Sequence, residues 1–296
     1  MGSPRIVIWG QLTLFFSYFC DIFGIMKKII TIFAVILLFS GCATNPLTGN
    51  NTMAFVDNSE LFPSSFAQYD EFLSENIVVS TTDDAAMVAW VGSRLAEAAQ
   101  KWLTSEGYPN YLDEYKWEYK LVKDDTVNAW CMPGGKIVVY TGILPITQTE
   151  DGLAVVLGHE ISHALLNHGQ QRMSADVLKK LGASGLSLIT TSQSPETQAL
   201  AMTAYGAGSD LFGTLPFSRK QESEADHYGL ILMAIAGYNP DEAIPFWERM
   251  SAKSSGATPE FLSTHPSDST RIKQLQGWVT EAKQKAAEFG VTFDNP

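Results

Sequence analysis

The stretch His159-Glu160-Ile161-Ser162-His163 constrains this chain more than any other. Residues four apart on an α-helix lie one above the other, so its two imidazoles can grip one cation while Glu160 faces the same pocket. The pattern predicts a metal-binding helix with a carboxylate placed for proton transfer, which is the chemistry of metal-assisted hydrolysis. Five residues recur by chance, so the rest of the chain must supply a further ligand.

Zinc in a hydrolytic site takes three protein ligands plus water. The stretch Ser218-Arg219-Lys220-Gln221-Glu222-Ser223-Glu224-Ala225-Asp226 offers three carboxylates ahead of an apolar helix, Tyr228 to Ala236. Glu222 and Asp226 share a helix face, whereas Glu224 is rotated by about 200° from Glu222. We therefore expect His159, His163 and Glu222 to bind one Zn2+ per chain, with Asp226 accepting from a ligand ring, that of His159. On a continued helix His168 lies about 140° around from His163, outside the coordination sphere, and is expected to be a structural or supporting histidine.

The chain has 296 residues, 45% apolar and 18% charged, ordinary for a globular protein. Two apolar stretches precede residue 42. From Met26 the sequence reads as a secretory signal peptide: Lys27 and Lys28, an apolar run from Ile29 to Phe39, then Ser40-Gly41-Cys42. Its ending resembles a bacterial lipobox, with Phe39 where leucine is usual. We expect translation to start at Met26, Cys42 to be acylated, and residues 1–41 to be absent from the mature protein. The competing reading is a transmembrane helix over Ile6 to Ile25, interrupted by Asp21. Losing Arg5, Lys27, Lys28 and Asp21 moves the net charge from −12 to −14. So acidic a surface argues against nucleic acid and leaves membrane attachment to the acyl chains. Cys131 is left without an intrachain partner and reads as a packing residue beside Trp130 and Met132.

The expected organisation is a leader over 1–41, a tether and irregular segment over 42–82, and a catalytic domain over 83–296. A helix capped by Asp83 or Asp84 and ending near Gly107 should bury Met87, Trp90, Val91, Leu95 and Trp102. Tyr115 to Val122, Thr126 to Met132 and Lys136 to Thr141 read as strands, the last two joined as a hairpin by Pro133-Gly134-Gly135. Lys136, Ile137, Val138 and Val139 are the expected strand on which an extended substrate would add, with an ordinary covered sheet as the equal alternative. Gln148 to His168 is the motif helix. Ser174 to Phe217 reads as two close-packed helices broken near Ser194-Pro195. The fold class is α+β, a mostly helical zincin-like domain with a small sheet beside the motif helix.

HEISH followed by ESEAD resembles the gluzincin metallopeptidases of the HtpX, BepA and CAAX prenyl protease type. Further matching pieces are Asn128-Ala129, Pro133-Gly134-Gly135, Thr141-Gly142, Ser218-Arg219, Ser263-Thr264-His265-Pro266 and Arg271-Ile272. Unlike some members, the chain is expected to lack membrane helices around the core and a C-terminal helical-repeat domain. After Arg271 it has one amphipathic helix carrying Ile272, Leu275, Trp278 and Val279. The resemblance implies a zinc endopeptidase acting on unfolded or misassembled membrane and periplasmic polypeptides, with Glu160 as general base. Candidates for a donor to the transition-state oxyanion are His265, Arg271, His227 and Tyr228. In relatives a corresponding His-Pro element can approach the metal, so His265 is alternatively a latch. The rival functions are an envelope chaperone or assembly factor with a shut site, and a structural zinc domain, which would need no Glu160. Ala43 after the acylated cysteine favours the periplasmic face of the outer membrane.

N-terminal sequencing and lipid labelling of the mature protein should find an acylated N-terminus at Cys42; a mature form retaining Met1 would sink this reading.

Overall fold

A computed structural model describes residues 42–191, 193–199, 218–253, 259–265 and 270–293. The chain divides into two compact units, Met1–Ala43 and Thr44–Pro296. The expected leader over 1–41 and the side chain of Cys42 lie outside the described residues, as do Pro266 and residues 200–217.

Residues 42–82 differ from expectation, because the segment read as an irregular tether contains ordered elements. Strands β1 (Cys42–Thr44) and β2 (Asn51–Met53) bracket a turn organised by Asn45. Its Oδ1 accepts from the Leu47 and Thr48 N–H groups, and its Nδ2 donates to the Leu165 carbonyl at 2.8 Å. An 18-residue helix follows, α1 (Asn58–Glu75), capped by Asp57 and burying Leu61, Phe62, Ser65 and Tyr69. These residues sit at i, i+1, i+4 and i+8, which is a helix face. Pro63 and the Asn, Asp and Ser around it read as loop in sequence; Pro63 lies inside the helix, where it forfeits one backbone bond, and the buried face formed by Leu61, Phe62 and Tyr69 offsets that loss. Ser65 donates to the Pro133 carbonyl at 2.8 Å, tying α1 to the hairpin turn.

Helix α2 (Asp83–Ser105) is capped by Thr82, not by Asp83 or Asp84, which instead lie in the first turn where carboxylates favour the helix dipole. Its buried face is Val88, Val91, Gly92, Leu95, Ala98, Ala99, Trp102 and Leu103. Trp90 is 54% exposed and is not the core residue expected; its ring meets the Arg94 guanidinium at 5.7 Å. Small residues, invisible to a pattern of large apolar ones, line the contact face here.

Strands β3 (Val78–Val79), β4 (Glu118–Val122), β5 (Ala129–Met132) and β6 (Lys136–Tyr140) form one sheet in the order β3-β4-β6-β5. The predicted β5–β6 hairpin is present, antiparallel with Trp130 opposite Val138. Gly134 and Gly135 turn it at φ 85° and 89°, values that β-carbons disfavour. β6 also pairs in parallel with β4. Lys136, Ile137, Val138 and Val139 are therefore hydrogen-bonded on both sides and cannot receive an added strand, contrary to expectation. The edges of this sheet are β3 and β5, and β5 is the one that packs beside the motif helix.

A 3-10 turn (Thr141–Ile143) and the one-turn helix α3 (Leu144–Thr147) lead to α4 (Glu150–Leu165), capped by Thr149. From Gly152 to Leu165 every residue of α4 is buried, which marks a helix enclosed on all sides. It packs on α6 (Arg219–Ile235), α2 and β5. α6 opens with a capping box, Ser218 and Gln221 exchanging bonds. α5 (His168–Thr190) leaves Leu181 and Leu188 exposed; the break near Ser194 falls where α5 has ended, and most of the second helix expected there lies outside the described residues. Helices α7 (Ala243–Lys253), α8 (Glu260–Thr264) and α9 (Arg271–Glu288) complete the unit, α9 burying Arg271, Leu275, Ala282 and Ala286. No helix among the described residues is long and apolar enough to cross a membrane.

The α4–α6 contact has no room for side chains at its centre. A Cβ on Gly158 would lie 2.9 Å from the Gly229 carbonyl oxygen, and one on Gly229 would lie 2.9 Å from Gly158 backbone. Gly158→Ala and Gly229→Ala should each force the helices apart and destabilise the protein by about 1–3 kcal/mol, despite the better helix propensity of alanine. Urea unfolding of the metal-free protein checks this.

Candidate metal centre

α4 supplies His159, Glu160 and His163; α6 supplies Glu222 and Asp226; the end of α8 supplies His265. All six are buried. One ligand atom from each of His159, His163, Glu222 and His265 lies within 4.8 Å of the other three. The His159 and His163 Nε2 atoms face each other at 3.0 Å, and each stands 3.4 Å from a Glu222 carboxylate oxygen. Thus the structure brings together the three residues that helix geometry selected from the sequence. It adds His265, whose Nδ1 is 3.1 Å from Glu222 Oε1 and 3.2 Å from His159 Nε2.

Asp226 lies where the four-residue spacing put it, its Oδ1 accepting from His159 Nδ1 at 2.9 Å. That bond keeps the proton of a neutral His159 ring on Nδ1 and turns a bare Nε2 inward. Converging nitrogen lone pairs and a carboxylate repel one another unless positive charge sits among them. The protonation behaviour reflects this. Burial by itself would discharge His159, but hydrogen bonds with Asp226 and Glu222 outweigh it and push its pKa up to about 9. On Glu222 burial acts upward, and hydrogen bonds from His159, His163 and His265 reverse it and hold the carboxyl well below its usual range. His163 is driven well below its ordinary value, first by burial. Three imidazoles and one carboxylate, buried and mutually facing, suit a borderline-soft cation such as zinc.

Glu160 shares the pocket. Burial raises its pKa, with His265 and His159 opposing, and it accepts from the Cys131 backbone N–H on β5. The Tyr140 N–H donates to the Asn128 carbonyl at 3.1 Å, which sets the hairpin register so that Ala129 and Cys131 turn their backbone groups away from β6. The free side of β5 therefore faces Glu160. Further along the same side, the Phe261 N–H donates to the Val127 carbonyl at 3.1 Å and Asn128 Nδ2 donates to Glu260 at 3.1 Å. These bonds seat α8 against the sheet edge, and Phe261 stacks on the His265 ring at 4.8 Å.

Arg271 occupies a position that sequence could not assign. Its Nε donates to Asp226 Oδ2 at 2.5 Å and its Nη2 to Glu222 Oε2 at 3.0 Å, while the guanidinium lies 3.8 Å from the Trp247 ring centre. It clamps the two carboxylates of α6 from behind. The other two oxyanion candidates stand elsewhere: His227 pairs with Glu281 at 3.0 Å and stacks on Trp278, and the Tyr228 hydroxyl donates to the Leu47 carbonyl. They lie on a different side of α6 from Glu222. Cys131 is part-buried with its pKa raised by burial, as a packing residue's would be. Trp247 and Phe261 carried no sequence signal, since isolated aromatics in helices read as core.

The model of peptidase family M48 matches residues 89–279 of the chain. Among curated proteins, the mitochondrial metalloendopeptidase OMA1 of Schizosaccharomyces pombe is 38% identical over 181 residues, 59% of this chain and 50% of that protein. The protein of the same name in Saccharomyces cerevisiae is 35% identical over 199 residues, 64% of this chain and 54% of its own length. The beta-barrel assembly-enhancing protease of Escherichia coli is 31% identical over 181 residues, 58% and 36% of the two chains. The chain thus spans about half the length of the first two relatives.

Removing the clamp should leave two buried carboxylates short of a partner. Arg271→Leu is expected to destabilise the metal-free protein by roughly 3–5 kcal/mol in urea unfolding, with Arg271→Lys intermediate because it keeps the charge and loses the two-pronged geometry.

Proposed function

The chain belongs to peptidase family M48, and on that premise we propose that it is a zinc-dependent endopeptidase of the cell envelope, cleaving misfolded or misassembled membrane and periplasmic proteins. The observation that carries the proposal is the buried cluster of His159, His163 and Glu222 with the Glu160 carboxylate beside it. A purely structural metal site has no use for a buried carboxyl of raised pKa at its margin.

In this reading His159, His163 and Glu222 hold one zinc, and Asp226 fixes the His159 ring. Bound there, zinc supplies Lewis acidity toward water and the scissile carbonyl. Glu160 accepts the proton of the attacking water at its carboxylate and delivers it to the leaving amine nitrogen. Burial favours the proton-holding form of Glu160 between these two transfers. The substrate backbone lies along the outer side of β5, where the Ala129 and Cys131 carbonyls point away from β6. β5 thereby takes the role expected of Lys136 to Val139. The lipobox-like ending at Cys42 supports anchoring by acyl chains, and Ala43 supports the periplasmic face of the outer membrane. The printed names of the relatives support metalloendopeptidase chemistry, mitochondrial for OMA1 of both yeasts and linked to beta-barrel assembly for the Escherichia coli protein.

His265 favours a second reading. Its Nδ1 stands among the donors and its Nε2 is 3.3 Å from Glu160 Oε1, so it covers both the metal position and the base. This supports an assembly factor whose site is latched for most of its life, in keeping with the printed name of the Escherichia coli relative.

With casein or an unfolded outer-membrane protein as substrate, Glu160→Gln should lower cleavage by about 10²–10⁴-fold while zinc content stays at one per chain. Equal cleavage by wild type and Glu160→Gln would remove the peptidase reading. In the same assay a rise on His265→Ala identifies a latch, and a fall identifies a donor to the transition state.

A further inference from the structure

The helix carrying HEISH does not continue to His168. It ends at Leu165, and Asn167 takes a left-handed conformation, φ 58° and ψ 30°, with its Nδ2 donating to the Tyr111 hydroxyl at 2.8 Å. The chain therefore changes direction before α5 begins at His168. An uninterrupted helix would carry His168 to the far side; the break returns it beneath His163. His168 is fully buried, and its Nδ1 lies 2.9 Å from His163 Nδ1. On its other side His168 Nε2 faces Glu224 Oε2 across 3.4 Å, and Glu224 Oε1 is 3.5 Å from Lys220 Nζ at the surface.

We propose that His168 and Glu224 are positioning residues that orient His163 toward the metal, in the way Asp226 orients His159. The inference rests on the zinc reading given above. His163 Nε2 points at the donor cluster, 3.0 Å from His159 Nε2 and 3.4 Å from Glu222 Oε1. A ring that ligates through Nε2 keeps its proton on Nδ1. That N–H can donate to His168 Nδ1 only if the second ring is neutral and bare at that nitrogen, so His168 carries its own proton on Nε2, facing Glu224. The His163 N–H then meets an acceptor, and the Nε2 proton of His168 is directed at the Glu224 carboxylate 3.4 Å away. All three carboxylates of ESEAD acquire work: Glu222 as ligand, Asp226 behind His159, and Glu224 behind His163 through one intervening imidazole. Helix geometry set Glu224 apart from Glu222 and Asp226, and that rotation is what lets it reach the other histidine.

The test measures zinc affinity by competition with a chromogenic chelator, alongside urea unfolding of the metal-free proteins. His168→Leu should weaken zinc about 10–100-fold, the usual effect of losing such a partner. His168→Asn, whose Oδ1 can accept from His163 Nδ1, should recover most of the loss. Glu224→Ala should weaken zinc in the same direction by a smaller factor, and because Glu224 is partly exposed this variant answers the question if His168→Leu fails to fold. In zinc-loaded wild type, 15N NMR should find His163 protonated on Nδ1 and His168 on Nε2. Wild-type affinity in both His168→Leu and Glu224→Ala overturns the proposal while leaving the zinc reading intact, as does a His168 protonated on Nδ1. Equal weakening by the Leu and Asn substitutions at matched metal-free stability also overturns it. Failure of wild type to take up zinc overturns both.

Discussion

Two helices supply the donors of HEISH and ESEAD, and they meet where neither has a side chain. Gly158 stands immediately before His159, and Gly229 lies one turn beyond Asp226. Their backbones approach so closely that a single methyl group on either would collide with the other helix. This contact sets the distance between HEISH and ESEAD, and hence whether two imidazoles and a carboxylate can face one point. The surrounding core holds the contact closed: α4 is buried all round, and burial of Leu153, Leu157 and Ile161 contributes on the order of 1.5–3 kcal/mol each.

Enclosing the site creates an electrostatic difficulty that the rest of the fold addresses. Glu160, Glu222 and Asp226 are buried within one small volume, and like charges at such separations resist joint ionisation. Arg271, entering from the start of α9, lies against Trp247 and bonds to both carboxylates of α6. Glu222 is thus shared between the imidazole cluster and the Arg271 guanidinium, its Oε2 lying 3.4 Å from His159 Nε2 and 3.0 Å from Arg271 Nη2. Arg271 makes no bond to Glu160, whose pKa burial raises. α8 closes the arrangement by bonding to Val127 and Asn128 and placing His265 over the donors.

Most of this centre was legible in the sequence, because helical periodicity is a local property. The four-residue spacings His159–His163 and Glu222–Asp226 are enough to put each pair on one face, and the choice of Glu222 over Glu224 followed from rotation alone. His168 stays outside the donor cluster, as the sequence predicts, but it reaches the back of His163 and not the far side of the helix, because Asn167 ends the helix; asparagine tolerates the left-handed region without announcing that it will adopt it. Helix α1 was missed because Pro63 and its polar neighbours read as loop, although Leu61, Phe62 and Tyr69 keep a helical spacing. Trp90 was placed inside because large apolar residues dominate a periodicity count, whereas α2 presents Gly92, Ala98 and Ala99 to its neighbours.

Taken alone, the sequence determined the fold class, the helix carrying each motif, the ligand types and the hairpin, all of which follow from contacts between residues close along the chain. The tertiary structure decided which strand has a free side, where Arg271 points, and what stands behind His163. β5 and not β6 is an edge strand because β4 pairs in parallel with β6, a contact between residues some 18 positions apart that no local pattern encodes. The HEISH helix specifies two imidazoles in a row. Their separation from Glu222, and the partner that orients each ring, come from the packing of α4 on α6 and from the turn at Asn167.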